Sequence, residues 1–141
     1  MQLSTNFMLS EFLKSNTATR LGFHEQFSPP DEVVDNLKLL CEEVLQPLRD
    51  MLPEGYLRIS SGYRCERLNQ AVGGKPTSQH VKGQAADVEW IINGEEHNDK
   101  LMDLLLTSGL EFDQAINEFD FSWVHISYNE GHNRHETFDI K

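Results

Sequence analysis

A helical pattern between residues 31 and 52 is the strongest constraint on the fold. Its apolar residues recur at steps of three and four, the spacing that places side chains on one face of a helix. They are Val33, Val34, Leu37, Leu40, Cys41, Val44, Leu45, Leu48 and Leu52. Pro47 lies inside the pattern and predicts a break or kink before it. The pattern therefore predicts a long amphipathic helix whose apolar face is buried against other elements.

Shorter segments with strand and helix character follow this helix. Strands are predicted over residues 56–60, 84–90, 123–128 and 134–140, and further helices over 67–72 and 99–108. Residues 1–30 are typical of loop with short helical pieces. The order of elements predicts an α+β fold, in which a small antiparallel sheet carries helices on one face and a cleft on the other.

Length and charge limit the class of protein. A chain of 141 residues with 38% apolar residues has the size of one domain with its own core, so residues 1–141 are predicted to form a single domain. The formal charge of −11 argues against a nucleic acid or an anionic membrane as partner, because both require a basic surface. We expect neither partner, and we expect a monomer. Cys41 and Cys65 form no disulfide framework, and Cys41 is expected in the core.

Two predicted strands carry polar side chains opposite their apolar faces. Side chains alternate along a strand, so Asp87 in 84–90 and His125 in 123–128 both point away from the helices. If these strands are neighbours, the two side chains approach closely, and His80 can fold over them. Two histidines and one carboxylate suit zinc, with a fourth position left for water. The spacing alone also allows a turn histidine and a strand aspartate without any metal.

Three motifs occur in an order that resembles a known family. They are SGYR at 61–64, Ser-x-His-x-x-Gly-x-Ala-x-Asp at 78–87 and Trp-Val-His-Ile-Ser at 123–127, with Asn69 and Val-Gly-Gly at 72–74 between the first two. Together they resemble the zinc D-alanyl-D-alanine carboxypeptidase family, which shares a superfamily with lysostaphin-type peptidases and the hedgehog signalling domain. The likeness runs from about Phe7 to Tyr128 and is closest to single-domain proteins of phages and bacteria.

The resemblance implies a hedgehog/D-Ala-D-Ala peptidase-like fold whose cleft holds one zinc ion (Zn2+). It implies that His80, Asp87 and His125 are the zinc ligands. It also implies that Arg64 points into the cleft and stabilises the substrate carbonyl as it becomes an oxyanion.

Three further residues are expected to line the cleft and contact substrate: Ser78, Gln79 and Trp123. Two of them have an alternative structural role. Ser78 could simply cap the turn around His80, and Trp123 could be a core aromatic. His132 and His135 are expected at the surface, although one of them could approach the metal.

The chain departs from the family at the proton-transfer group. Several members carry the catalytic acid three residues before the last zinc-binding histidine, and that position here is Ser122, which cannot act as a base of comparable strength. Glu118 and Asp120 are the nearest carboxylates on the N-terminal side, and a loop could bring either one to the site. Glu118 is preferred because it ends an apolar segment that can hold it rigidly, whereas Asp120 has the setting of a solvated turn residue.

The resemblance implies a zinc metallopeptidase that hydrolyses peptidoglycan stem peptides. It would act as a D-alanyl-D-alanine-type carboxypeptidase or as an endopeptidase of the endolysin kind. The alternative is a non-catalytic, zinc-stabilised binding or assembly module of a phage or bacterium, which the serine at position 122 favours.

The N-terminal segment lacks the basic, then apolar, then small-residue order of a secretion signal. We therefore expect synthesis in the cytoplasm. Action at a cell wall would then depend on lysis, a holin or delivery by a phage particle.

Overall fold

The computed structural model describes residues 1–141, with six α-helices and eight strands. The helices are α1 (Leu9–Leu13), α2 (Asn16–Leu21), α3 (Asp31–Leu40), α4 (Gln46–Asp50), α5 (Glu66–Ala71) and α6 (Asn98–Thr107). The strands are β1 (Gln2–Ser4), β2 (Phe7–Met8), β3 (Tyr56–Ser61), β4 (Ala85–Ile92), β5 (Glu95–Glu96), β6 (Gln114–Glu118), β7 (Trp123–Ser127) and β8 (Glu136–Ile140). A 3-10 helix spans His24–Phe27, and a π-helical segment, Cys41–Leu45, joins α3 to α4.

The long helical pattern forms one continuous stretch whose hydrogen bonding changes before Pro47. The backbone N–H of Gln46 donates to the carbonyl of Cys41, five residues earlier. Proline has no N–H to donate, and its ring collides with the carbonyl four residues earlier in a regular helix. The wider π turn provides room for the ring, so the predicted break before Pro47 is confirmed as a π segment. Leu40 and Leu48, on either side of it, are both fully buried.

The main sheet has the strand order β3-β4-β7-β6-β8, and β5 forms a hairpin with β4. All pairs are antiparallel except β6 with β8, which are parallel. The sheet that was predicted as small and antiparallel is therefore larger and mixed, with one parallel pair at this edge. Strand β4 already pairs with the outer edge of β7. The chain that leaves β7 therefore crosses the end of β6, and β8 pairs with the free edge of β6 in the parallel direction. A second sheet pairs β1 with β2 in a region predicted as loop and short helix.

The two faces of the main sheet differ in what covers them. On one face Val88 and Val124 are fully buried and belong to the same core as Leu101 and Leu105 of α6. Helix α6 contacts both β4 and β7, and α1 contacts β3. The opposite face carries the polar side chains of the central strands and borders a cleft. The predicted division into a helix-covered face and a cleft face is therefore present.

Both cysteines are buried and free. Cys41 belongs to the core as predicted, and burial raises the pKa of its thiol well above the usual range. None of the helices combines the length and the apolar character that crossing a bilayer requires.

Candidate metal centre

Asp87 on β4 and His125 on β7 are directly opposite each other in the sheet. The Asp87 Oδ1 atom lies 3.2 Å from His125 Nδ1. Both side chains are largely buried, at 8% exposure each, and both point to the cleft face. Strand alternation predicted the face, and the antiparallel register decided that these two residues would be partners.

His80 reaches the same point from the loop before β4. Its Nε2 atom lies 3.3 Å from Asp87 Oδ1, and its ring centroid is 5.0 Å from that of His125. The other ring nitrogen, Nδ1, lies 2.7 Å from the carbonyl oxygen of Gly62. Because a carbonyl only accepts, Nδ1 carries the hydrogen and donates it, which leaves the lone pair of Nε2 directed at the cluster.

The three side chains fit a metal ion by their chemistry and their proximity. One ligand atom from each of His80, Asp87 and His125 lies within 4.8 Å of the others. Burial alone would raise the pKa of Asp87, but the two imidazoles beside it, first His125 and then His80, outweigh burial and hold the pKa of this carboxyl below its usual range. Asp87 is therefore an anion facing two imidazoles, a donor set that suits zinc.

The loop that carries His80 is shaped by a short turn. The hydroxyl of Ser78 accepts the backbone N–H of His80 at 3.2 Å, so Ser78 caps the turn while it also lines the cleft. Gly83 has a φ of +74°, and a Cβ there would lie 2.6 Å from the Val33 carbonyl. The turn that aims His80 at the cluster therefore requires glycine at this position.

Arg64 lies in a cradle beside the metal cluster. Its side chain lines the cleft, and its Nε atom is buried without a hydrogen-bond partner. Burial lowers the pKa of Arg64 below its usual range, while the carboxylates of Asp87 and Glu118 act in the opposite direction. A Cβ on Gly74 would lie 2.1 Å from Asn69 Oδ1 and 2.9 Å from Arg64 Nη1. Only glycine at position 74 leaves room for this arrangement.

The structure separates the two carboxylates considered for proton transfer. Glu118 ends β6, lines the cleft, and places Oε2 3.8 Å from His125 Nδ1. Trp123, its register partner on β7, donates its indole N–H to the same oxygen at 3.2 Å. Asp120 lies in the loop between the strands and does not line the cleft. The hydroxyl of Ser122 donates to the Phe119 carbonyl at 2.6 Å.

The loop between β6 and β7 has an unusual backbone. Phe119, Asp120 and Phe121 have φ values of 52°, 55° and 59°, three consecutive non-glycine residues in the left-handed region. Each costs roughly 1–2 kcal/mol in this conformation. Asn117 Oδ1 accepts the Phe121 N–H at 2.6 Å, which stabilises the turn from within.

A fully buried asparagine fixes the same loop from outside. Asn98 Nδ2 donates to the carbonyls of Phe121 and Ser122, at 2.9 and 3.2 Å. Its Oδ1 accepts the backbone N–H of Trp90 at 3.0 Å, which ties the loop to β4. The loop that joins Glu118 to Trp123 is therefore held by side-chain amides from both Asn117 and Asn98. No sequence motif indicated this role for Asn98, because its partners are backbone atoms distant in the chain.

A second polar network lies at another part of the cleft. Gln79 Nε2 donates to Asp113 Oδ2 at 2.7 Å, and Arg134 donates through Nε and Nη2 to both oxygens of the same carboxylate. Asp113 is buried, at 1% exposure. Gln79 lines the cleft as predicted, with its Oε1 atom buried and free of hydrogen bonds. Asp113 and Arg134 were not among the predicted site residues.

The cleft has a volume of about 1120 Å³. Two of its residues, Phe138 and Ile140 on β8, were not predicted, although strand alternation places them on one face. His135 does not line the cleft; its ring packs on Phe112 with centroids 4.1 Å apart. His132 does not line it either, so neither approaches the metal cluster.

Comparison with known proteins supports the motif resemblance. No curated protein matches the chain. A family model described as peptidase M15 matches residues 5–127, close to the span of the three motifs and their surroundings. The matched part contains the three ligand candidates, Arg64 and Glu118, and the members of this family are zinc peptidases. The chain therefore belongs to the peptidase M15 family, as its motifs predicted.

Proposed function

We propose that this protein is a zinc-dependent peptidase that hydrolyses peptidoglycan stem peptides, as a D-alanyl-D-alanine-type carboxypeptidase or as an endolysin-like endopeptidase. The observation that carries the proposal is the convergence of a buried ligand triad, a carboxylate and an arginine on one cleft. A purely structural zinc site has four protein ligands and no need of a neighbouring acid or cation.

The metal would be held by His80, Asp87 and His125. When bound, zinc supplies Lewis-acid polarisation of the substrate carbonyl and lowers the pKa of a coordinated water toward neutrality. The Gly62 carbonyl holds His80 in the tautomer that presents Nε2 to the metal, because it accepts the hydrogen of Nδ1. Asp87 lies between the two imidazoles and supplies the negative charge of the ligand set.

Glu118 is assigned the proton transfer. It accepts a proton from the attacking water and returns it to the leaving nitrogen, the two roles of a general base and a general acid. Its Oε2 atom lies 3.8 Å from a ligand side chain and accepts a hydrogen bond from Trp123, which orients the carboxylate. Asp120 has no comparable position, because it lies outside the cleft in the loop that follows.

Arg64 is assigned to the developing oxyanion. Its side chain lines the cleft beside the cluster and makes no hydrogen bond within the protein, so its guanidinium can donate to a substrate oxygen. Donors that are held in a water-poor site stabilise developing charge more than the same donors in water do. Ser78, Gln79 and Trp123 line the same cleft and are assigned to substrate contact.

The test is digestion of purified peptidoglycan with the zinc-loaded protein, followed by mass spectrometry of the released fragments. The proposal expects new peptide termini in the stem peptides. It also expects their loss when the zinc is removed and their return when zinc is restored. Intact stem peptides after digestion of cell walls of several chemotypes would contradict it.

A second candidate is the non-catalytic binding or assembly module. The observation in its favour is Ser122, whose hydroxyl donates to the Phe119 carbonyl and whose position carries the acid in several family members. This candidate expects zinc binding and attachment to peptidoglycan without any new peptide termini. Delivery to the wall by lysis, a holin or a phage particle stays a prediction under either candidate.

A further inference from the structure

The cleft crosses the whole main sheet, and the metal cluster lies in its interior. Residues from all five strands line it, from Ser61 on β3 to Ile140 on β8. Neighbouring strands are about 4.8 Å apart, so the cleft extends roughly 19 Å across the sheet. Asp87 and His125 occupy the second and third strands of this order, with β3 on one side and β6 and β8 on the other.

The cleft continues on both sides of the cluster. An extended peptide advances about 3.3 Å per residue. The distance from the β4–β7 pair to β8 is therefore enough for about three residues, and the distance to β3 is enough for about two. A carboxypeptidase requires space for a single residue beyond the scissile bond, which is less than either side of this cleft provides.

The β8 side presents an uncovered apolar surface. Phe119, Phe138 and Ile140 line the cleft there and remain 51%, 44% and 39% exposed. Large apolar side chains that stay this exposed next to a site are typical of a surface that binds a ligand. Phe138 and Ile140, on β8, lie beyond residues 5–127, so this part of the wall is outside the region that the family model matches.

The cleft is also cationic in an acidic protein. It is lined by four cations and two carboxylates, although the chain carries 12 basic and 23 acidic residues. The two carboxylates are Asp87 and Glu118, both at the metal cluster. Lys14 follows α1, which contacts β3, and Arg64 follows β3 itself. Arg134 is already paired with Asp113 and Glu136, so Lys14, Arg64 and Lys75 are the lining cations that remain to attract an anionic ligand.

We propose that this site cuts an internal bond of an extended, anionic peptide that occupies the cleft on both sides of the cluster. The inference rests on the proposed function and selects the endopeptidase over the carboxypeptidase. Water adds across the amide, so that a C–O bond forms, the C–N bond breaks, and one proton passes to the leaving nitrogen. Both products are then peptides, and no oxidant or other reactant is needed.

The first experiment compares two substrates with the zinc-loaded full chain. One is cross-linked peptidoglycan, and the other is the free stem pentapeptide. Mass spectrometry is expected to find fragments with two or more residues on each side of the cut. Release of single amino acids alone would overturn the proposed endopeptidase activity, while the proposed peptidase function would still hold. Absence of any cleavage would overturn the proposed function itself.

The second experiment tests the β8 wall. The double variant Phe138→Ser, Ile140→Ser is expected to raise KM for the cross-linked substrate about tenfold with little change in kcat, since each buried apolar side chain contributes to binding. The matched control is Thr137→Ser with Asp139→Asn on the opposite face of β8, which is expected to leave KM unchanged. Melting curves exclude unfolding of either variant. An unchanged KM in a folded Phe138→Ser, Ile140→Ser variant would overturn the role of the wall.

Discussion

The indole N–H of Trp123 donates to Glu118 Oε2 across the β6–β7 hairpin, at 3.2 Å. The two residues are register partners, and Glu118 Oε2 also lies 3.8 Å from His125 Nδ1. One hairpin therefore carries a metal-ligand candidate, a carboxylate beside it and the indole that orients the carboxylate. Under the proposed function, this arrangement takes the place of the acid that several family members carry where this chain has Ser122.

Replacement of Glu118 is expected to stop catalysis without loss of the metal. The Glu118→Gln variant keeps the shape of the side chain but cannot accept the proton, so kcat is expected to fall by about 10²–10⁴. Zinc content, measured by metal analysis of the purified variant, is expected to stay at one ion per chain. Asp120→Asn is the comparison, with activity expected within about twofold of the parent. Equal losses of activity in Glu118→Gln and Asp120→Asn would contradict the assignment of Glu118 as the proton-transfer group.

Removal of zinc is expected to destabilise the fold. A metal that binds the folded chain and not the unfolded chain adds about 2.7 kcal/mol to the free energy of unfolding when its concentration is 100 times Kd. Tm is therefore expected to fall after chelation and to rise again with added zinc. In Asp87→Ala this response is expected to disappear. Glu89→Ala, on the same face of β4 but in an ion pair with Arg58, is expected to retain it. If the Tm of the parent protein changed with neither chelator nor added zinc, the metal site would be contradicted.

Replacement of Arg64 is expected to lower kcat more than it changes KM. Arg64→Lys keeps the charge but moves the donors, so the loss of oxyanion stabilisation is expected to lower kcat by about 10²–10³. The matched control is Arg67→Lys, since Arg67 is exposed and pairs with Glu25 outside the cleft. Steady-state kinetics on the cleaved peptide measure both parameters. A rise in KM at constant kcat would instead assign Arg64 to substrate binding.

Asn98 is expected to support both the stability and the activity of the site. Asn98→Ala leaves the buried Trp90 N–H without its acceptor and the carbonyls of Phe121 and Ser122 without their donor, which is expected to lower the free energy of unfolding by about 1–3 kcal/mol. Activity at a temperature where the variant is folded is also expected to fall, because Glu118 loses its fixed loop. Denaturant unfolding and kinetics measure the two effects. Asn36→Ala, at a half-buried residue that donates one hydrogen bond to the Lys82 carbonyl, is the control.

Asp113 is expected to contribute stability that depends on pH. Burial alone would raise the pKa of Asp113, but hydrogen bonds from Arg134 and Gln79 outweigh it and hold the pKa of the carboxyl below its usual range. A carboxyl with a lowered folded-state pKa stabilises the fold above its unfolded pKa of about 3.9, and this contribution is lost as the pH falls through the folded value. Asp113→Asn is therefore expected to melt below the parent at pH 7, with the difference shrinking below about pH 4. A difference that is constant with pH would contradict this assignment.

The amino-acid sequence by itself determined the elements and the faces of the site. The three- and four-residue spacing over 31–52 placed the long helix, and Pro47 predicted its irregularity. Strand alternation placed Asp87 and His125 away from the core, and the three motifs identified the family. These features depend on residues close together in the chain, so periodicity and spacing were sufficient to find them.

The tertiary structure alone decided which strands became neighbours and what surrounds the metal cluster. The parallel pairing of β8 with β6 and the hydrogen bonds of Asn98 to the loop after β6 join segments that are distant in the chain. Their partners are backbone atoms, which leave no periodic pattern in the sequence. Glu118 and Asp120 are only two residues apart in the chain. The tertiary structure distinguishes them, because Glu118 lines the cleft and Asp120 lies in a left-handed loop.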